Sequence, residues 1–227
     1  MEKIDFFVSR SENNEDFVFS YEIEKIICVG FSGRNQKETL KHIEELKEEG
    51  VPAPDKIPTI YPCSKNLATN NSKIQVLGDK TSGEVEAMLL FYDDSIYLGI
   101  GSDHTDRNLE TVDIGKSKQS CSKPFSRILW KLSDIEDHID EMILRSWSIK
   151  NGNKELYQEG KLKNLLPLDE IIKNVKNNYQ KDLKGCMVYC GSVPTKSGLS
   201  YGEEFKMEIE DPVLSKKLSH DYKIEKL

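Results

Sequence analysis

The sequence predicts an α+β fold, on three observations. Strand-like patterning recurs along the chain, only two stretches carry a full helical period, and the two kinds of element lack the regular βαβ order of a doubly wound sheet. A single domain spanning residues 1–227 is expected, with N-terminal strands and a helix over about 1–65 and a β core over about 66–227.

The chain opens with KIDFFVS, DFVFSYEI and KIICVG, three strand-like runs, and SENNED between the first two predicts a hairpin. QKETLKHIEELKEEG follows as a helix, with Leu40, Ile43 and Leu46 spaced by three and Gly50 placed to stop it. Four prolines in VPAPDKIPTIYP enforce an extended, irregular path. SKIQVLG, GEVEAMLLFY and DSIYLGIG return to strand, and SDIEDHIDEMILRSWSI begins helical and ends strand-like. NGN at 151–153 is a turn signal, with LYQEGKL beyond it. LPLDEIIKNVKNNYQ is an amphipathic helix whose Leu168, Ile171, Ile172 and Val175 share a face, and CMVYCGSVP and YGEEFKMEIED are strands.

Acids and bases are interspersed and the formal charge is −7, which argues against a nucleic-acid or anionic-membrane surface as the main function. No stretch is long and apolar enough for a membrane span, and MEKIDFFVSR lacks an apolar signal core, so a cytoplasmic location is expected. The five cysteines form no CxxC pair and are expected to be reduced; Cys28, inside KIICVG, reads as a small buried apolar residue.

Candidate chemistry starts in SGEVEAMLLFY. Glu84 and Glu86 are two apart on an expected strand and project from one face. Two carboxylates so placed repel unless a cation or proton sits between them, and hard divalent cations prefer such ligands. Taken alone, the spacing fits a solvent-facing strand edge better. Asp103 changes the balance: it lies just past DSIYLGIG, where a hairpin brings it beside the pair. Lys116, in IGKSKQ, could balance charge or orient a ligand. In HIEEL, His42 and Glu45 lie three apart on one helical face, an arrangement that suits a general base and equally a plain surface pair. GSVP places Ser192 at a strand-end turn that could receive a carboxylate or carbonyl oxygen. No phosphate-binding loop, dinucleotide fingerprint or GxSxG elbow is present.

Taken in order, these fragments resemble the fumarylacetoacetate hydrolase (FAH) superfamily, and within it the DUF2848 group. GEVEAML matches that superfamily's E-x-E strand, SDHTDRN its N-D-x-S-x-R-D motif, and Gly115-Lys116-Ser117 its G-K-S. VGFSGRN…HIEE, NGNKELYQ, GSVP and YGEEFKMEIED follow in the family's order, with Ser102 and Asn108 as departures from the motif around Asp103. The resemblance implies an FAH-like rolled mixed β-sheet with a few peripheral helices. It implies Glu84, Glu86 and Asp103 as ligands of Mg²⁺ (or Mn²⁺ or Ca²⁺), and His42, Glu45 and Lys116 as catalytic groups. Arg107, Ser192 and Arg34 fall to substrate binding. The implied activity is on a small 2-oxo or 1,3-dicarbonyl carboxylic acid, by C–C bond hydrolysis. Hydration, dehydration or decarboxylation of a sugar-derived 2-oxo acid, or metabolite binding without catalysis, are the alternatives. A homodimer is expected, with no nucleic acid or membrane partner.

Overall fold

The structure is a computed structural model describing residues 3–9, 15–48 and 50–227. The turn predicted at SENNED lies largely outside the described residues, but its flanking strands Ile4–Val8 and Phe17–Tyr21 pair antiparallel, from Ile4↔Tyr21 to Val8↔Phe17.

Two mixed sheets make up most of the molecule. The larger has eight strands in the order Phe17–Tyr21, Ile4–Val8, Ile128–Lys131, Ser95–Ser102, Val85–Tyr92, Cys186–Ser192, Lys25–Gly30 and Thr59–Ser64. The smaller has five, in the order Asn153–Lys161, Ile143–Lys150, Glu204–Asp211, Lys216–Lys226 and Lys73–Val76. Strands from the first 65 residues therefore form both edges of the larger sheet, with four strands from beyond residue 80 between them. The central strands VEAMLLFY and CMVYCGS are buried on both faces, which is why they read as apolar runs without alternation. One face packs Leu89, Leu98, Ile100 and Val188 against Leu144, Met207, Ile209 and Leu218 of the smaller sheet. The other curls around Phe6, Phe19, Met88, Phe125 and Tyr189, with Phe6 and Phe125 stacked at 5.6 Å. The outcome is the α+β roll expected from the sequence.

Among the described residues, four α-helices lie at the periphery: α1 (Gln36–Glu48), α2 (Arg107–Glu110), α3 (Ile114–Gln119) and α4 (Leu168–Asn178). α4 buries Leu168, Ile171, Ile172 and Val175, the face read from sequence. α1 is anchored more narrowly, through Ile43 and Thr39, while Leu40 is exposed. Gly50 follows α1 with φ +89°, a conformation glycine adopts without strain.

The structure departs from the sequence reading in several places. TIYPCS, within the proline-rich stretch, is an edge strand in which Pro62 faces Ile27, a position open to proline because an edge residue can do without its N–H. The segment around EDHIDE forms 3₁₀ turns, Leu132–Asp134 and Glu136–Glu141, rather than an α-helix. ILWK and KKLSHDYKIEK are additional strands; in the latter only Leu218 and Tyr222 are fully buried, so the apolar signal is sparse.

Candidate metal centre

The site is built at the open end of a hairpin. Strands Val85–Tyr92 and Ser95–Ser102 pair with Val85 opposite Ser102 and Glu86 opposite Gly101. One step beyond, the Asp103 N–H donates to the Glu84 carbonyl at 3.0 Å. The two-residue period of the strand turns Glu84 and Glu86 to the same side. Each of Glu84, Glu86 and Asp103 offers a carboxylate oxygen within 4.8 Å of the others. Glu86 and Asp103 are buried, whereas the Glu84 side chain is 23% exposed and marks the open side.

Three cations face these acids. Lys118 Nζ donates to Asp103 Oδ2 at 2.5 Å, and its ammonium lies 5.7 Å from the centre of the Tyr61 ring. Lys123, fully buried, donates to the carbonyls of His104 and Lys118 and stands 3.1 Å from Asp103 Oδ1 as an ion pair; no aligned hydrogen bond reaches that oxygen. Arg107 donates Nε to Ser82 Oγ at 2.6 Å, pairs with Glu110 at 2.9 Å, and brings Nη2 to 3.3 Å from Glu84. The neighbouring strand contributes backbone: the Gly191 N–H donates to Glu86 Oε2 at 2.7 Å. Gly191 has φ +98°, and a Cβ there would meet Ser32 Oγ at 1.9 Å, so glycine alone fits this approach.

The acids respond in opposite directions. Burial opposes ionisation of Asp103, yet Lys118 and Lys123 outweigh it and hold its carboxyl below the ordinary range. Burial pushes the Glu86 carboxyl well up, helped by Asp103 and Glu84 and opposed by Lys118. Asp103 holds the Lys118 ammonium well above its usual range, against the burial that disfavours the charge.

This donor set fits a hard divalent cation. It supplies three converging carboxylates, among them a buried Asp103 whose Oδ1 is ion-paired to Lys123 at 3.1 Å, and an open side for water or ligand.

The remaining sequence candidates are distributed as follows. Arg107 lies against Glu84, and Ser192 sits in register opposite Glu86, its Oγ accepting from Gln158 Nε2 at 2.6 Å. Lys116 is turned outward on α3, 76% exposed and 3.3 Å from Asp113. The lysine at the carboxylates is Lys118, because two helical residues differ by about 200° in direction. His42 and Glu45 form a 3.8 Å pair on the exposed face of α1 and do not belong to the carboxylate cluster. Arg34 makes a two-pronged ion pair with Asp140 and donates to the Leu165 carbonyl. Cys28 is buried, and the other four cysteines are likewise buried and free.

Sequence reasoning missed Lys123 and Gln158 as well as Lys118. Gln158 uses all of its polar capacity: Oε1 accepts from Val85 N–H and Ser146 Oγ, and Nε2 donates to Ser192 Oγ and the Val193 carbonyl. It thereby ties the E-x-E strand to the Ser192 turn. NGNKELYQ was noticed as a motif, but nothing in it signals that Gln158 is buried.

The family described as protein of unknown function DUF2848 matches residues 29–222. The chain belongs to the DUF2848 family. No curated protein matches it. Similar solved structures include a yeast fumarylacetoacetate hydrolase family protein (17% identity, TM-score 0.62), covering 90% of this chain and 94% of that one. A 5-carboxymethyl-2-hydroxymuconate delta-isomerase from Mycobacterium smegmatis is similar at 18% identity and TM-score 0.61, covering 95% and 86%. A 2-keto-3-deoxyarabinonate dehydratase is similar at 17% identity and TM-score 0.64, covering 95% and 79%. At these identities the likeness establishes a shared fold: this DUF2848 chain has the fold of fumarylacetoacetate hydrolase family proteins, as its motifs implied.

Proposed function

We propose that this protein is a divalent-metal-dependent enzyme acting on a small 2-oxo or 1,3-dicarbonyl carboxylic acid, with hydrolytic C–C bond cleavage as its reaction. The observation carrying the proposal is the convergence of Glu84, Glu86 and Asp103 beside a buried lysine, with Glu84 left partly exposed. Those three residues would hold Mg²⁺, Mn²⁺ or Ca²⁺, and a bound ion supplies Lewis-acid polarisation of a substrate oxygen.

The protein's own groups account for the rest. Four carboxylates (Glu84, Glu86, Asp103 and Glu110) face three cations (Lys118, Lys123 and Arg107), so a divalent ion leaves one positive charge. That balance favours a singly charged oxo acid as ligand. An ammonium has three donors, and Lys118 spends one on Asp103. The others are available to an oxygen that gains negative charge as a C–C bond breaks, the point at which such a contact is most effective. His42, oriented by Glu45, is the proposed base. The reading includes a homodimer, for which the cross-strand row Phe7, Val18 and Ile128 supplies exposed apolar surface.

The test is a turnover assay on acylpyruvates and other 1,3-dicarbonyl acids with Mg²⁺ or Mn²⁺. Cleavage that stops on chelation supports the proposal; turnover unaffected by chelation overturns it. The likeness to 2-keto-3-deoxyarabinonate dehydratase supports dehydration of a sugar-derived 2-oxo acid as a second reading. Water loss from such an acid, with the acylpyruvates untouched, would select it.

A further inference from the structure

We propose that Tyr222, which reaches the site from the strand Lys216–Lys226 of the smaller sheet, is a positioning residue that sets the spacing of Glu84 and Asp103. The inference rests on the metal-binding reading and adds to it a residue that touches none of the carboxylates.

The connection is a short polar chain in an apolar surrounding. Tyr222 is 1% exposed, and its Oη lies 2.8 Å from Ser102 Oγ and 3.1 Å from His104 Nδ1. Ser102 and His104 flank Asp103 in sequence, so one phenol oxygen grips the loop on both sides of that ligand. Ser102 Oγ also accepts the Glu84 N–H at 3.2 Å, and the Asp103 N–H donates to the Glu84 carbonyl. The Glu84 backbone is thus tied directly to the hydroxyl pair, and the Asp103 backbone to Glu84 and, through its sequence neighbours, to the Tyr222 hydroxyl. The aromatic parts fix the phenol in place: Tyr222 stacks on Phe205 at 5.9 Å, and the His104 ring stands edge-on to both, at 5.7 Å from each. Space is reserved for the oxygen as well. A Cβ on Gly83 would come within 2.3 Å of Tyr222 Oη and 2.9 Å of Ser102 Oγ, so only glycine at 83 leaves the chain intact.

A phenylalanine at 222 would fill the same volume and keep the ring packing. The hydroxyl therefore has a separate task, and holding two backbones that carry metal ligands is the task its partners define. Groups that orient ligands in this way typically change metal affinity about 10–100-fold when removed.

The test measures Mn²⁺ binding by calorimetry and thermal unfolding in chelator, on the full chain and on three variants. Tyr222→Phe and Ser102→Ala are each expected to weaken Mn²⁺ binding about 10–100-fold. Tyr21→Phe is the control, since it removes another buried phenol, whose hydrogen bond goes to the Cys186 carbonyl, and it is expected to keep wild-type affinity. Wild-type affinity in folded Tyr222→Phe or Ser102→Ala overturns the proposal while leaving the metal site standing. Equal losses in Tyr21→Phe overturn it too, by reducing the effect to general destabilisation. A wild-type protein that binds no Mn²⁺ overturns this inference together with the metal reading, and calorimetry separates that case from the other two.

Discussion

Glu86 is subject to two opposing demands. As the proposed metal ligand it would have to be ionised, yet burial and its neighbours Asp103 and Glu84 push its carboxyl well above the ordinary range. A folded-state pKa above the unfolded value means that stability is complete below the unfolded value, about 4.3, and falls as pH rises through the folded one. Glu86→Gln is therefore expected to abolish Mn²⁺ binding in calorimetry and also to raise the melting temperature in chelator at neutral pH. Unchanged Mn²⁺ affinity would remove Glu86 from the site. Asp103 has the reverse sign. Its depressed carboxyl contributes stability that is present above about pH 4 and is lost as pH falls towards the folded value, so Asp103→Asn should flatten the acid limb of the unfolding profile. Lys118→Met leaves a buried Asp103 with one cation fewer and should cost about 3 kcal/mol in denaturant unfolding, whereas Lys116→Ala on the exposed face of α3 should stay within about 0.5 kcal/mol. The carboxylates were legible in the sequence because two residues along a strand always share a face. The lysine was not, because a glycine-lysine-serine pattern fixes a position in sequence while helix rotation decides which lysine turns inward.

At the scale of elements, legibility followed burial pattern. α4 was read correctly because its four apolar residues repeat at three and four, and all four are buried. Ile171→Ala, at a fully buried position, should cost about 2–5 kcal/mol by denaturant unfolding. The strand Lys216–Lys226 was missed because charged residues occupy most of it, although it carries Tyr222 into the site. The bulge in Asn153–Lys161 was equally hidden. There the register shifts between Ser146, opposite Gln158, and Trp147, opposite Leu156, leaving Tyr157 without a partner, so adjacent Tyr157 and Gln158 are both buried. No two-residue alternation predicts that. α1 shows the converse: the HIEE pattern was visible, but the helix presents it on its exposed face, with His42 62% and Glu45 55% exposed. His42→Ala should leave Mn²⁺ affinity unchanged and stability within about 0.5 kcal/mol. Turnover then decides the dyad: loss with intact metal binding supports the proposed base, and full turnover reduces the pair to a surface contact.

For the whole molecule, a ligand that binds only the folded chain adds stability by mass action. At a Mn²⁺ concentration of 100 times its dissociation constant this is about 2.7 kcal/mol, or roughly 5–10 °C in melting temperature for a chain of this size. Scanning calorimetry with and without the ion measures it directly, and the rise should vanish in Glu86→Gln. The placing of late strands between early ones in the larger sheet bears also on how the chain is made. Val85–Tyr92, which extends from the E-x-E pair, has Cys186–Ser192 as one of its two neighbours, and Lys25–Gly30 lies on that strand's far side. At about 5–20 residues per second, residues 93–185, which separate Val85–Tyr92 from Cys186–Ser192, take roughly 5–20 s to emerge from a ribosome. Through that interval the most apolar strand of the nascent chain has an unfilled edge, which makes it the natural segment for a chaperone to hold.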